Sequence, residues 1–433
     1  MKKLPFILLL FQCYLLSSQN RVLVLFDSIQ KKPIKNVHVK YKGNVFISDS
    51  IGNVTVPNLK TGKFYFSHIK YLDRTIVLSQ KLNDTIFLIE QNNKLSEVLI
   101  SYKKKRKLTF ETLPELEKGI HSFASVLYEG KIYVFGGDKS ILKDAATIAL
   151  KEASESNTPM KSLLLYKSFI SYSSTIYVYT IKTKRWSKLK SKTQPKANHK
   201  AVLIQNKVYL IGGKKISRNK EREYLTDNIE VFNLITKRKE KSLKNKHKAV
   251  NQGVSRFGDK IILLGGSVKR LKSGKQKFSN DVTLYDTKQN KWRILGKLPD
   301  PKETESVRIK EKVYLIGGNN NKKIDKITSF NLRTGKWRVE KRLPNKMSKP
   351  AIEVNGNLIY IFSESNVYVF NTLNSSLKEF KINLLYESCE MFLSEGYLYL
   401  LGGYEVDPLQ RVPSKKMFRI NLKEFETTRF KTF

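Results

Sequence analysis

The feature that most constrains this chain is a short unit that keeps returning: an apolar strand closed by two glycines. It reads Lys131-Ile132-Tyr133-Val134-Phe135-Gly136-Gly137, then Lys207-Val208-Tyr209-Leu210-Ile211-Gly212-Gly213. It recurs as Lys260-Ile261-Ile262-Leu263-Leu264-Gly265-Gly266, Lys312-Val313-Tyr314-Leu315-Ile316-Gly317-Gly318 and Tyr397-Leu398-Tyr399-Leu400-Leu401-Gly402-Gly403. A degenerate copy, Leu358 to Ser363, has lost its glycines and completes six. With Ser363 standing in, the first glycines are 76, 53, 52, 46 and 39 residues apart, and apart from the first these intervals bracket one four-stranded sheet. A third strand follows each unit, at Thr175–Thr180, Ile229–Asn233, Val282–Asp286, Ile327–Asn331, Val367–Asn371 and Met417–Asn421. In three repeats a turn and a tryptophan come next (Trp186, Trp292 and Trp337), which accounts for every tryptophan in the protein.

Physics says why such a unit is repeated. A four-stranded sheet cannot bury both faces alone, so it must stack on its neighbours around an axis. Glycine serves where the backbone enters conformations closed to other residues or where two backbones approach closely. Tryptophan supplies a large apolar body between sheets. In its diglycine, tyrosine and tryptophan positions the stretch resembles the Kelch repeat. That resemblance implies an all-β chain whose residues 108–433 form a six-bladed Kelch-type β-propeller. It says little about activity, because one fold hosts many. Ring closure is open at this point. The last blade is completed either by a strand near Glu426–Phe430 or by an early strand near Leu108–Phe110.

The long first interval predicts an insertion at about 139–173, with helical composition from Ile141 to Ala153. Two shorter basic loops run from Lys214 to Glu223 and from Lys269 to Lys277. Loops of this kind emerge on one face and shape binding sites.

Ahead of the repeats, residues 20–100 carry short alternating strands punctuated by turns, which predicts a small β-sandwich. Lys32 to Val39, Ser48 to Val54, Ile69-Lys70-Tyr71 and Leu95 to Ile100 resemble the carboxypeptidase-regulatory-like domain found at the N-termini of many exported Bacteroidetes proteins. Lys70 stands where glycine is usual. The resemblance implies a folded spacer with no active site. Residues 101–107, with five consecutive basic residues from Lys103, read as a solvated linker. Residues 1–19 read as a signal peptide: Lys2 and Lys3, an apolar run from Leu4 to Leu16, then Ser17-Ser18-Gln19. Export to the periplasm, the outer-membrane surface or the exterior is therefore expected, with no membrane span after cleavage. Cys13 then leaves with the leader and Cys389 stands alone, so no intramolecular disulfide is expected.

Lys and Arg number 81 against 38 Asp and Glu, a formal charge of +43. Such a surface attracts polyanions without specifying a site. Nucleic acid is not the expected partner, since an exported protein rarely meets it and no recognition motif occurs. The histidines His38, His68, His121, His199 and His247 show no metal-ligand spacing, so neither a metal nor another cofactor is expected. The copper chemistry of some Kelch enzymes, which needs paired histidines and tyrosines and a crosslinked cysteine, is not indicated. No P-loop, dinucleotide fingerprint, zinc-protease motif or nucleophile elbow occurs. Arg256, Glu305, Arg308, Glu353 and Glu390 are the candidate channel-mouth residues, on first strands of the repeats. The expected function is non-catalytic binding of a protein or acidic glycan. The alternative is a sugar-active enzyme such as a sialic-acid mutarotase, in which one of those carboxylates supplies acid–base catalysis.

Overall fold

A computed structural model describes residues 20–57, 61–79, 84–91, 104–156, 170–219 and 222–433. The leader, the Leu95–Ile100 motif and the later part of the insertion lie outside the described residues. The chain divides into two compact units, Met1–Ser101 and Tyr102–Phe433.

In the first unit, strand Asn20–Asp27 runs between Asn53–Pro57, antiparallel, and Thr85–Leu88, parallel. A second sheet orders Asn44–Ile47, His38–Tyr41, Thr61–His68 and Tyr71–Ser79. Both sheets contribute to one core, with Leu23, Leu25 and Val56 from the first and Val39, Phe64 and Phe66 from the second. The alternation in Thr61–His68 explains this, since Gly62, Phe64 and Phe66 all fall on the buried face. Ser48 is buried because it has work there: its hydroxyl donates to the Ile34 carbonyl at 2.7 Å and accepts from Val37 N–H at 2.9 Å. Asp49 orders the following turn by accepting from the N–H groups of Ile51 and Asn53.

In the second unit the repeats form six antiparallel sheets among the described residues. The first comprises Ala124–Tyr128, Lys131–Phe135, Thr175–Thr180 and Arg185–Lys192. The second comprises Ala197–Ile204, Lys207–Ile216, Asn228–Asn233 and Arg238–Lys244. The third has Gly253–Phe257, Lys260–Leu264, Asp281–Asp286 and Lys291–Lys297. The fourth has Glu303–Ile309, Lys312–Asn319, Ile324–Asn331 and Trp337–Met347. In the fifth, Ala351–Asn355 and Leu377–Glu387 flank one long strand, Leu358–Asn371, bent at Glu364 with φ 54°. Thr372 N–H donates to Asn357 carbonyl at 3.0 Å and brings its two ends together. Here the degenerate repeat has exchanged a glycine-gated loop for a tight turn.

The sixth sheet orders Glu390–Ser394, Tyr397–Leu401, Met417–Asn421 and Glu111–Leu113. Of the two closures left open by the sequence, the early strand is therefore the one used, slightly later in the chain than Leu108–Phe110. The competing segment, Glu426–Phe430, begins inside a one-turn helix, Glu424–Thr427. Residues 104–107, the described part of the expected linker, are exposed, and Lys105 is also tied to the C-terminal segment. Lys105 N–H donates to Thr427 carbonyl, Arg429 N–H donates to Lys105 carbonyl, and Lys105 Nζ lies 3.0 Å from Glu424.

Each second strand carries a run of four or more apolar residues because both of its faces are covered there. Ile132 and Val134 pack toward the sixth sheet, while Tyr133 and Phe135 pack toward the second. One core joins the second and third sheets around Ile211 and Leu263, and another joins the third and fourth around Leu264 and Leu315. A further core, around Ile316 and Ile361, joins the fourth and fifth sheets. The fifth and sixth meet around Val367 and Leu400, and Tyr399 and Leu401 return to the first sheet. The stack therefore closes on itself. Full burial of one such side chain contributes about 1.5–3 kcal/mol, so each sheet depends on both neighbours for most of its stability.

Two glycines per unit do two different jobs. A Cβ on Gly212 would lie 2.1 Å from the Gln252 side chain and 2.6 Å from Ala249 carbonyl, in the next sheet. One on Gly213 would lie 2.7 Å from Ala197 carbonyl, in its own sheet. The first glycine admits the neighbour and the second admits the returning chain. The tryptophans cap the outer ends of the inter-sheet cores. Trp186 Nε1 donates to Pro114 carbonyl and Trp337 Nε1 to Lys297 carbonyl, each at 2.8 Å, while Trp292 packs on Tyr285.

Candidate functional site

The chain enters each first strand through one residue at a fixed repeat position: Ser122, Asn198, Asn251, Glu303, Lys349 and Ser388. All six line a cavity of about 1300 Å³. Neighbouring sheets are stitched at this level by backbone bonds. Asn198 N–H donates to Ser122 carbonyl at 2.8 Å, Asn251 N–H to Asn198 carbonyl at 3.3 Å, and Thr304 N–H to Asn251 carbonyl at 3.2 Å. Ser122, Asn198, Asn251 and Ser388 hold φ between 49° and 59°, a left-handed conformation that asparagine tolerates better than most residues. Glu303 and Lys349 depart from this pattern in both conformation and charge. Glu303 is 3% exposed, and its Oε1 has no hydrogen-bond partner. Burial pushes its carboxyl up from the ordinary glutamate range, against the pull of Lys349. Burial likewise pushes the Lys349 ammonium down, and Glu303 is the strongest charge opposing that shift.

The rim of the cavity comes in part from the three loops marked out by the sequence, with Asn319, Asn321, Lys322 and Lys323 of the fourth sheet and Tyr404 and Arg411 of the sixth. Ser140, Leu142 and Tyr172 belong to the insertion, Lys214 and Glu223 to the second loop, and Lys269, Arg270 and Gln276 to the third. The insertion is held by more than packing over its own sheet. Leu142 and Lys143 pair with Arg411 and Gln410 of the sixth sheet's loop, and the helix Ala145–Ser156 follows. Tyr172 hydroxyl donates to Glu223, which also pairs with Lys214 at 2.7 Å. Lys323 bridges Glu364 and Glu387 at 3.2 and 3.1 Å. Among the described residues, Lys269, Arg270, Lys322, Lys349 and Arg411 on the same wall are left without a salt bridge, so the wall is net cationic.

Two positions further along each first strand, some 6–7 Å deeper by strand geometry, stand Ala124, Lys200, Gly253, Glu305, Ala351 and Glu390. Small and charged residues alternate, and the small ones leave room for the charged ones to meet. Lys200 Nζ lies 2.6 Å from Glu305 Oε2 and 3.5 Å from Glu390 Oε1. Burial alone would push the Lys200 ammonium down, but the two carboxylates outweigh it and push it up. Burial and Glu305 push the Glu390 carboxyl up, against Lys200. Two carboxylates thus share one ammonium.

The expectation that five residues gather at the channel mouth is corrected by this geometry. Glu305 and Glu390 come together, but below the mouth. Glu353 lies deeper still, where its Oε1 accepts from Val354 N–H at 2.8 Å and burial pushes its carboxyl up to about 7. Arg256 and Arg308 sit at the far ends of their strands, where turn geometry captures them. Arg308 Nε donates to Arg256 carbonyl at 2.5 Å, and its guanidinium lies 5.4 Å from the centroid of the Phe257 ring. Sequence reasoning missed Lys200, Glu303 and Lys349. Aligning the repeats by column would have found them, as charges in a column otherwise filled by Ser and Asn or by Ala and Gly.

Among the described residues no group of His, Cys, Asp and Glu is placed to hold a metal ion, and no helix is long and apolar enough to cross a membrane. His199 is buried beside Gly136, and His247 Nε2 bonds the Gly265 carbonyl at 2.7 Å, so both serve the repeat junctions. No curated protein matches the chain. Residues 167–370 match the family model of the KLHDC2/KLHL20/DRC7 Kelch-repeats domain. That match, on an all-β architecture, supports a Kelch-repeat protein.

Proposed function

We propose that this is an exported, non-catalytic binding protein: a six-bladed Kelch propeller that meets its partner at the cavity face, carried behind a carboxypeptidase-regulatory-like β-sandwich spacer. Kelch domains generally mediate protein binding. The observation that carries the reading is the cavity, to whose rim all three of the loops by which this chain departs from a minimal repeat contribute. A net cationic wall suits an acidic partner of the cell envelope, as a protein segment or an acidic glycan. The test uses the full chain without its leader, titrated with acidic proteins and glycans at low and at moderate salt. Saturable binding that survives moderate salt and is lost when 269–277 is replaced by a Gly-Ser loop supports the reading. Binding to every polyanion alike that disappears with salt overturns it. Export is tested by N-terminal sequencing of the mature protein, which should begin near Gln19.

A sugar-active reading, of the sialic-acid mutarotase kind, is favoured by one observation. Glu353, with its carboxyl at about 7, is poised to exchange a proton at neutral pH. Anomer interconversion abolished by E353Q would establish it. The cavity lining stops short of Glu353, which favours the binding reading.

A further inference from the structure

We infer that the cavity floor is a binding site for a single acidic sugar residue, its carboxylate held by Lys349 and its hydroxyls by Glu303 and the surrounding Ser and Asn side chains. The inference rests on the reading that the cavity face binds the ligand, and it names the recognised chemistry.

Four of the six floor positions follow the repeat with a small or amide side chain in left-handed conformation, as the junction between sheets requires. Glu303 and Lys349, on adjacent sheets, break it together. Glu303 is 3% exposed with its Oε1 buried and unpartnered, and the residue borders a cavity large enough for a ligand. A buried polar atom left unpaired costs about 1–3 kcal/mol and more when charged, so a residue of this kind persists where a ligand completes it. Lys349 also borders the cavity and makes neither a hydrogen bond nor an ion pair among the described residues. It is not simply Glu303's partner, because no ion pair within 4 Å joins them.

The ligand must therefore bring a donor to Glu303 and an anion to Lys349 at once. The remaining floor groups, Ser122, Asn198, Asn251 and Ser388, are neutral hydroxyls and amides, which pair with hydroxyl groups in either direction. Of those four, Asn198 and Asn251 are pre-organised by their mutual bond, Asn198 Nδ2 to Asn251 Oδ1 at 2.8 Å. One carboxylate among several hydroxyls is the chemistry of a uronic or sialic acid unit. A purely anionic ligand leaves Glu303 unsatisfied and repelled. A neutral sugar gives Lys349 no ion pair and leaves it only the longer-range field of Glu303 and Glu305.

The test is isothermal titration of the full chain without its leader, at moderate salt, with tetragalacturonate and its neutral methyl ester, and with sialyllactose and lactose. At least one acidic probe should bind saturably and at least tenfold more tightly than its neutral counterpart. K349M should erase that preference while leaving the thermal midpoint within a few degrees. E303Q should weaken the acidic probe at least fivefold without destabilising the fold, since it removes a buried charge. Equal affinity for acidic and neutral probes, an unchanged preference in K349M, or no binding of any of the four probes overturns the inference. If the probes fail but an acidic protein binds through the loops, the floor inference falls and the binding reading stands. If neither binds, both fall.

Discussion

Lys196 and Glu230 form an ion pair at 2.9 Å with side chains 0% and 1% exposed, inside the second sheet next to the junction with the first. Glu230 is well supplied: it also pairs with Lys239 at 3.1 Å and accepts from Gln194 N–H at 3.1 Å. Burial pushes the Glu230 carboxyl up, but Lys196 and those donors outweigh it and hold it below the ordinary range. Lys196 depends on this carboxylate, because its remaining contact is the Leu210 carbonyl at 3.4 Å. E230A therefore strands a buried ammonium, and removal of one member of a buried pair costs about 3–5 kcal/mol. With a urea dependence of about 3 kcal/mol per molar, the unfolding midpoint should fall by about 1–1.7 M. The double variant K196M/E230M removes both charges and should recover most of that loss, since apolar replacements of buried pairs are often neutral. The folded pKa of Glu230 is depressed, so its contribution is present above the unfolded value and lost as pH falls through the folded one. The E230A penalty should accordingly shrink in acid. A midpoint shift under about 0.3 M, or a double variant no more stable than E230A, would refute the reasoning.

Three further outcomes are expected. A Cβ on Gly402, at φ 68°, would lie 2.6 Å from the Phe123 ring and 2.7 Å from Ile120 carbonyl, at the closure between the sixth and first sheets. G402A should therefore lose about 2–4 kcal/mol from strain and overpacking, read as a lower urea midpoint; an unchanged midpoint would mean the closure is not tight. Glu353 has a folded pKa raised from 4.5 to about 7, so the folded state holds its proton more strongly and stability is lost as pH rises through that window. The stability of E353Q relative to the parent chain should increase from pH 4.5 to pH 8, and a gap independent of pH would contradict the burial argument. Cys389 is buried, donates to Gly402 carbonyl at 3.3 Å and has its thiol pushed up by burial. Peptide mapping should find it unalkylated by iodoacetamide in the native protein and labelled after denaturation; rapid native labelling would show that the thiol is reached from the cavity it borders.

Much of the architecture is legible from residue order alone, because repeat chemistry is local. Gly212–Gly213 and their counterparts mark the junction with the next sheet, since positive φ and close approach of a neighbouring chain combine there. Tyr397 to Leu401 is apolar at every position because a strand between two sheets has no wet face. The loops at 139–173, 214–223 and 269–277 stand out as departures from a fixed period. Other features depended on the closed ring. Glu111–Leu113 pairs with Met417–Asn421 across about three hundred residues of sequence, and a three-residue strand with one apolar side chain carries no sign of such a partner. Nothing in three separate repeats links Lys200 to Glu305 and Glu390. Only the convergence of alternate first strands puts one ammonium against two carboxylates. Arg256 and Arg308 look equally suited to the channel, but strand direction carries them to the opposite end. Local sequence sets which strands form and where they turn; which side chains then meet is set by closure, which brings together positions that the chain itself keeps far apart.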